Sequence, residues 1–119
     1  MRHRKSRLRL KQKPAHGRML TRNLVTSLFL YESIRTTRNR ADVLGPLVDR
    51  LITIVKTKRP HVAIRALNQV VMHRNACRKI MEVLRERFAT RRSGFTRVRA
   101  LGMRQGDGAA VVQVSLLDQ

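Results

Sequence analysis

The chain has 119 residues, of which 27 are Lys or Arg and 7 are Asp or Glu, so its formal net charge at pH 7 is +20. This length suits a single domain with one modest core. The single cysteine excludes an internal disulfide, and no apolar run approaches the length of a membrane span. The charge opposes compactness unless a polyanion neutralises it, so nucleic acid or an anionic membrane is the expected partner.

The basic residues are mostly arginine, with 21 Arg against 6 Lys. A guanidinium grips phosphate through two parallel hydrogen bonds and stacks on flat groups, which an ammonium does not do. A GC-rich genome also raises the arginine content, but it does not explain the scarcity of acids. The composition therefore favours phosphate as the ligand.

The first eighteen residues contain eight cations and no acid, and the first acid is Glu32. Few apolar residues accompany them, so we expect residues 1–15 to form a basic N-terminal extension and residues 16–119 a single compact α/β domain. No apolar segment of the signal-peptide type follows the charged start, so no secretory signal is predicted. Cations at nearly every second position would share one side of an extended chain and could line a groove between RNA helices. The alternative is a solvated tail.

Apolar spacing predicts a first helix over about residues 16–31, followed by a short strand over residues 33–37. Thr37 is a candidate cap for a second helix over residues 38–56. Gly45-Pro46 interrupts the apolar stripe of that helix, so a kink or a break is expected there.

A third helix is predicted over residues 61–72, and Asn75 is the candidate cap of a fourth. Cys77 lies on the apolar stripe of the fourth helix, which predicts a buried small side chain rather than a nucleophile. Two strands follow, over residues 95–101 and 110–116, with Gly102, Gly106 and Gly108 in the hairpin loop between them. The predicted fold is α+β, with about four helices packed on a small mixed three-stranded sheet and a basic extended N-terminal arm.

No catalytic or metal-binding constellation is predicted. The acid pairs Asp42 with Asp49 and Glu82 with Glu86 are interleaved with Arg, which favours solvated ion pairs along a helix. Four histidines without a cysteine at metal-ligand spacing do not predict zinc. We therefore predict no enzymatic activity, no metal and no cofactor.

The chain has only four aromatic residues. Proteins that bind single-stranded RNA stack bases on aromatic side chains, so this scarcity argues against that manner of binding. The short motifs of common RNA-binding modules are also missing from the sequence. Recognition of folded RNA through phosphates and shape is therefore expected. The predicted RNA-binding residues lie in the tail, at the helix starts and on the first C-terminal strand: Arg2, His3, Arg4, Lys5, Arg7, Arg9, Lys11, Lys13, Arg18, Arg22, Asn23, Thr36, Thr37, Arg38, Arg40, Arg97 and Arg99. For Thr36 and Thr37, helix capping is an equal alternative.

Several sequence blocks, taken in order, resemble the family of bacterial ribosomal large-subunit protein seventeen. The blocks are residues 1–5, 22–28, 34–37, 51–53 with Lys56, 93–98, 101–102 and 106–107. Local departures are Gly45, Ser93 and Gln105, where the family has Arg, Gly and Arg, and residues 58–90 match only in their helical pattern. The departure at Gln105 puts RNA contacts by Arg104 and Gln105 in question.

The resemblance implies a compact α/β domain with a basic N-terminal extension, bound to large-subunit ribosomal RNA near the peptide exit tunnel. It also implies neighbouring ribosomal proteins, including the small protein numbered thirty-two, and no membrane. We expect a single copy per ribosome and a cytoplasmic rather than organellar ribosome. Two rival classes are a nucleoid-type DNA-binding protein and an amphipathic membrane-active protein, which sedimentation with ribosomal subunits would separate from a ribosomal protein.

Overall fold

The computed structural model describes residue 3 and residues 10–118. The helices are α1 (Pro14–Tyr31), α2 (Arg38–Thr57), α3 (Pro60–Asn68) and α4 (Arg74–Lys79), followed without a gap by a π-helical segment (Ile80–Leu84) and α5 (Arg85–Arg87). The strands are β1 (Ser33–Thr37), β2 (Thr96–Met103) and β3 (Ala110–Leu116). The α+β prediction is confirmed, and the run from α4 to α5 is the predicted fourth helix.

The sheet has the strand order β1-β3-β2, and both of its pairings are antiparallel. The prediction of a mixed sheet is wrong in this respect. A short hairpin makes β2 and β3 antiparallel. Because β3 also lies between β2 and β1, the two outer strands run parallel to each other but never pair, and no parallel ladder forms.

Strand β3 has the predicted alternation. Val112, Val114 and Leu116 are buried, while the residues between them are only half-buried. In a strand, successive side chains point to opposite faces. The helices therefore pack on the face of Val112 and Val114, and the other face of the sheet is left uncovered.

The core is mostly aliphatic, as the composition requires, with three buried phenylalanines. Phe88 and Phe95 pack with ring centroids 5.0 Å apart and an interplanar angle of 56°. The fourth aromatic residue, Tyr31, is 74% exposed. The two packed rings join the end of the helical part to the start of β2.

Helix α2 continues through Pro46, so of the two expected outcomes, a kink or a break, the break does not occur. Pro46 and Asp42, whose carbonyl loses its helical partner, are both exposed. At this exposed position the carbonyl is open to solvent, which lowers the cost of a proline inside the helix. Thr37 is at the N-cap position with φ −76° and ψ 155°, but its side chain makes no capping hydrogen bond. The predicted capping contact is therefore not formed.

The fourth helical run begins at Arg74 rather than after Asn75. Its N-cap is His73, whose Nδ1 accepts a hydrogen bond from the backbone N–H of Asn75 at 3.2 Å. Asn75 was therefore the wrong cap. The Nδ1 of His73 thus supplies the acceptor that a serine or aspartate usually provides.

The π-helical segment matches the spacing of the buried residues Ala76, Ile80, Leu84 and Phe88, each four positions after the last. In an α-helix of 3.6 residues per turn, every fourth residue advances about 40° beyond a full turn, so such a row drifts off the core face. The wider π turn reduces this drift. Cys77, one position off this row, is half-buried rather than buried. Its Sγ faces Asn68 Oδ1 at 3.5 Å.

Strand β2 extends two residues beyond its predicted end and includes Gly102, which was placed in the hairpin loop. The register shifts between Ala100 and Gly102, and Gly102 has a φ of 127°. Glycine adopts this backbone conformation without a side-chain clash, so it suits a β-bulge. Gly106 and Gly108 do lie in the loop.

Glu32 connects the end of α1 to the run from α4 to α5. It ends α1 with a φ of 63° and accepts hydrogen bonds from Arg87 Nη1 at 2.9 Å and Nη2 at 3.0 Å. Lys79 Nζ lies 2.7 Å from Glu32 Oε1, the oxygen that also accepts from Arg87 Nη2. The hydrogen bonds from Arg87 and Lys79 outweigh burial and lower the pKa of Glu32 to about 2. This cluster was not predicted, because its members lie far apart along the chain.

We expect Glu32→Gln to lower the free energy of unfolding by about 1–3 kcal/mol, less than for a fully buried pair because a third of the Glu32 side chain is exposed. Since the folded-state pKa is lowered from 4.5 to about 2, this contribution is complete above pH 4.5 and disappears as the pH falls through 2. Urea unfolding between pH 7 and 2 measures it.

The matched control is Glu82→Gln, which removes a pair between Arg78 and Glu82 with side chains 72% and 60% exposed. We expect it to cost less than about 0.5 kcal/mol. Equal losses in the two variants would mean that the Glu32 cluster contributes no more than a surface pair.

Candidate nucleic-acid interface

The uncovered face of the sheet carries three exposed arginines. Residues directly opposite each other in antiparallel strands point to the same side. Gln113 of β3 is opposite Arg35 of β1 and Arg99 of β2, and Ser115 is opposite Arg97. These residues lie on the side of the sheet away from the buried Val112 and Val114. We call this surface the sheet face; it consists of Ser33, Arg35, Thr37, Arg97, Arg99, Val111, Gln113 and Ser115.

No acidic side chain belongs to the sheet face, and within residues 10–118 none of its arginines forms an ion pair. Gln113 Nε2 donates to Ser33 Oγ at 2.7 Å, which holds the central amide in place. Neighbouring strands lie about 4.8 Å apart, so Arg35 and Arg99 project from backbones roughly 10 Å apart on either side of β3. The sheet face offers charged forks and neutral donors, the groups that bind phosphate oxygens.

The starts of the three long helices are also electropositive. The N-cap residues of α1, α2 and α3 are Lys13, Thr37 and Arg59; none makes a side-chain capping bond, and no acid lies in any first turn. Acids usually occupy these positions, because the helix dipole places positive charge there. Here Arg38 and Arg40 add cations to the start of α2, directly after the sheet-face residue Thr37. Such an arrangement is favourable when an anion is bound.

Other cations are already engaged within the protein. Lys79 and Arg87 pair with Glu32, and Arg78 pairs with Glu82, as the sequence predicts for that acid. Arg104 pairs with Asp107 across the hairpin loop, and this contact lowers the pKa of Asp107 to about 2. The sheet face and the helix starts are therefore distinct from the cations that hold the fold together.

The remaining acid pair does not match its prediction. Asp49 was expected to form an ion pair along α2. Its Oδ1 instead accepts the backbone N–H of Phe95 at 3.1 Å, which ties α2 to the residue before β2. The Asp49 carboxylate thereby gives a partner to a backbone N–H that lies outside any helix or strand.

The predicted RNA-binding residues fall into separate groups. Arg2, Arg4, Lys5, Arg7 and Arg9 lie outside the described residues, and His3 is exposed. Arg22, Thr37 and Arg40 are half-buried. The exposed members on the described part are Lys11, Lys13, Arg18, Asn23, Arg38, Arg97 and Arg99. Residues of α1 lie on the helical side and Arg97 and Arg99 on the sheet side, so the structure does not bring the full set onto one surface.

The surroundings of Thr36 and Arg35 differ from what the sequence indicates. Thr36 is only 8% exposed, and its Oγ1 has no hydrogen-bond partner among the described residues. Its position opposite the buried Val112 favours packing over contact with RNA. Arg35 was not predicted, although it is exposed on the sheet face. The alternation about Ile34 would have shown it, since Ile34 and Thr36 share the inner side of β1.

The described part of the chain contains neither a metal-binding cluster nor a membrane-spanning helix. No group of three or more His, Cys, Asp or Glu side chains within it is arranged to hold a metal ion. None of the described helices is long and apolar enough to cross a bilayer.

Fold and surface together define a small, strongly basic α+β protein with acid-free cationic faces. Comparison with known sequences identifies its relatives. A profile of the family described as Ribosomal protein L17 matches residues 20–117. The chain belongs to this family, as the resemblance indicated.

Proteins named large ribosomal subunit protein bL17 are similar over almost the whole chain. The protein of Gemmatimonas aurantiaca is 39% identical over 117 residues, which cover 98% of this chain and 98% of that protein. The protein of Desulforapulum autotrophicum is 34% identical over 117 residues, covering 98% and 97%. That of Syntrophotalea carbinolica is 39% identical over 119 residues, covering 100% of this chain and 76% of the relative.

Proposed function

We propose that this protein is a structural constituent of the bacterial large ribosomal subunit, where it binds folded ribosomal RNA through phosphates and shape and carries out no reaction. The observation that carries the proposal is the sheet face, with three exposed arginines and no acid, in a chain of net charge +20 that belongs to a ribosomal protein family. Phosphate contacts dominate the affinity of proteins for nucleic acid, and they require cations that the protein itself leaves unpaired.

The proposed contacts divide between two parts of the chain. Residues 1–15 act as a basic extension that follows a groove between RNA helices, and residues 16–119 form the domain that positions it. Arg38 and Arg40 at the start of α2 continue the sheet face toward the RNA. A strand-and-helix framework holds these groups at fixed spacing, so it can fit one RNA surface, whereas the extension adapts to the groove it enters.

The resemblance to relatives with ribosomal names supports three further parts of the proposal. The protein lies near the peptide exit tunnel, beside ribosomal proteins that include the small protein numbered thirty-two. It is present once per ribosome. The ribosome is cytoplasmic and bacterial, and no membrane is involved.

The sheet face is tested by replacing Arg35, Arg97 and Arg99 together by glutamine. If all three contact phosphates of large-subunit rRNA, the slope of log affinity against log salt should fall by about 2–3, at roughly 0.7–0.9 per contact. Filter binding of the full chain to deproteinised large-subunit rRNA between 50 and 300 mM salt (on the order of the range where such contacts weaken) measures the slope.

The matched control replaces the same three arginines by lysine. It keeps the charge, so the slope should stay near that of the unchanged protein, while the affinity falls because an ammonium does not form the two-pronged contact. A slope unaffected by the glutamine changes would show that the sheet face is not on the RNA. Equal affinity for duplex DNA of similar length would instead favour the DNA-binding alternative.

A further inference from the structure

A second surface with the chemistry of a ligand site lies on the helical side of the protein. It is a groove of about 1310 Å³ between the first half of α1, the middle of α2 and the end of α3. Val43, Leu47 and Val70 form its half-buried floor. Lys11, Arg18 and Gln69 are exposed along its rim, and none of the described residues that line it is acidic.

Arg22 is held across this groove. Its Nε donates to the carbonyl oxygen of Val70 at 3.2 Å, and its Nη1 lies 4.0 Å from Met19 Sδ. The first contact fixes a long side chain that is otherwise mobile. The guanidinium of Arg22 and the thioether of Met19 are thereby placed side by side on the surface of the groove.

These two groups can replace an aromatic platform. Unpaired bases in RNA stack on guanidinium planes as well as on aromatic rings. A thioether sulfur also makes favourable contacts with aromatic systems. The shortage of aromatics in the sequence therefore does not prevent base stacking at this position.

The remaining groups suit the rest of a nucleotide. Lys11 and Arg18 offer charge to a phosphate, and the amide of Gln69 offers both a donor and an acceptor to the edge of a base. An apolar segment of another protein would fill the floor equally well, but it would leave an acid-free cationic rim without a counter-charge. A base inside an RNA duplex does not reach such a floor, because its faces are covered by its neighbours.

We propose that this groove binds one unpaired nucleotide of large-subunit rRNA, with the base against Met19, Arg22 and the apolar floor and the phosphate at Lys11 and Arg18. The proposal rests on the proposed function and adds a base contact to a surface otherwise expected to bind phosphates. A groove of this size is larger than the roughly 300–1,000 Å³ of enclosed small-molecule pockets, which suits a nucleotide still attached to its strand.

The groove can be filled without changing its charge. Gly17 lines it, and beyond its own helix backbone a Cβ at this position would come no closer than 3.9 Å to another atom, Gln12 Cβ. Leucine at position 17 would occupy the groove, and it is a better helix former than glycine within α1. Gly17→Ala is the matched control, since it gives the same helix benefit and leaves most of the groove open.

The full chain and both variants are bound to deproteinised large-subunit rRNA, and base reactivity is probed with dimethyl sulfate while backbone contacts are read by hydroxyl radicals. Stacking of one base is worth a factor of about 5–150 in affinity. We expect Gly17→Leu to lose a factor in this range together with the protection of an unpaired base. Its backbone protections and salt slope should stay as in the unchanged protein, and Gly17→Ala should behave like the unchanged protein.

Two results would overturn the proposal. The first is a Gly17→Leu protein that binds and protects bases as the unchanged protein does. The second is an equal loss of affinity in Gly17→Ala, which would show that the loss does not come from filling the groove. Either result leaves backbone protection intact and the proposed function standing. If the unchanged protein protects no part of the large-subunit rRNA, the proposed function itself fails.

Discussion

Replacing Arg2, Arg4, Arg7 and Arg9 by glutamine is expected to lower the slope of log affinity against log salt by about 3. Each phosphate contact releases counterions and contributes roughly 0.7–0.9 to this slope, so four contacts account for the change. Because a tail contact carries little information about sequence, binding to large-subunit rRNA and to an unrelated structured RNA should weaken by similar factors. Salt titrations with both RNAs provide the measurement.

The matched contrast is a variant with Arg22 and Asn23 replaced by alanine. Arg22 is tied to the carbonyl of Val70 on a rigid helix, so it can hold a fixed geometry against one RNA surface. We therefore expect a smaller change in slope and a larger loss for large-subunit rRNA than for the unrelated RNA. An unchanged slope in the tail variant would show that the N-terminal extension is not the electrostatic anchor.

Phe95→Ala is expected to destabilise the protein by about 3–5 kcal/mol, a large part of the roughly 5–15 kcal/mol typical of a domain. Phe95 is fully buried, packs against Phe88 and lies with its ring centroid 5.2 Å from Lys56 Nζ. Loss of the ring leaves a cavity where the helical layer meets β2. The substitution also removes an aromatic contact worth about 0.5–1.5 kcal/mol more. Denaturant unfolding measures the change.

Phe95→Leu is the control, because it keeps most of the volume and should cost much less. A double-mutant cycle with Phe88→Ala isolates the contact between the two rings. A loss below about 1 kcal/mol for Phe95→Ala would contradict the position of this residue in the core.

The fold could be predicted well where local patterns determine it. The period-two alternation around Val112 and the apolar spacing of α1 and α2 give the elements to within a few residues, because burial of one face fixes the period. Antiparallel pairing of β1 with β3 was missed, since it depends on which distant strands meet. No short stretch of sequence determines which strands pair.

The errors at helix starts have a local cause of a different kind. Thr37 and Asn75 have side chains suited to capping, yet neither provides a cap. His73 serves instead, which propensity does not favour. Thr37 is the last residue of β1 and lies on the sheet face, so its side chain faces away from the contact that capping requires.

The candidate site could be predicted in residue type more than in arrangement. Arg97 and Arg99 were predicted to contact RNA, and their grouping with Arg35 emerges only once β3 lies between β1 and β2. The groove beside Arg22 depends on three helices meeting. The contact between Arg22 and Val70 spans 48 positions, so no sequence pattern shows it.

The most direct test of the proposed ribosomal role is sedimentation of the protein with large subunits through a high-salt wash. Bacterial cells producing the full chain with a small affinity tag would be lysed, and the subunits separated on gradients before and after the wash. We predict that the protein stays with the large subunit at close to one copy, because fixed contacts from the sheet face and α1 act together with the extension. Release of the protein into the top fractions at high salt, or its movement with DNA or membranes, would contradict a structural place in the large subunit.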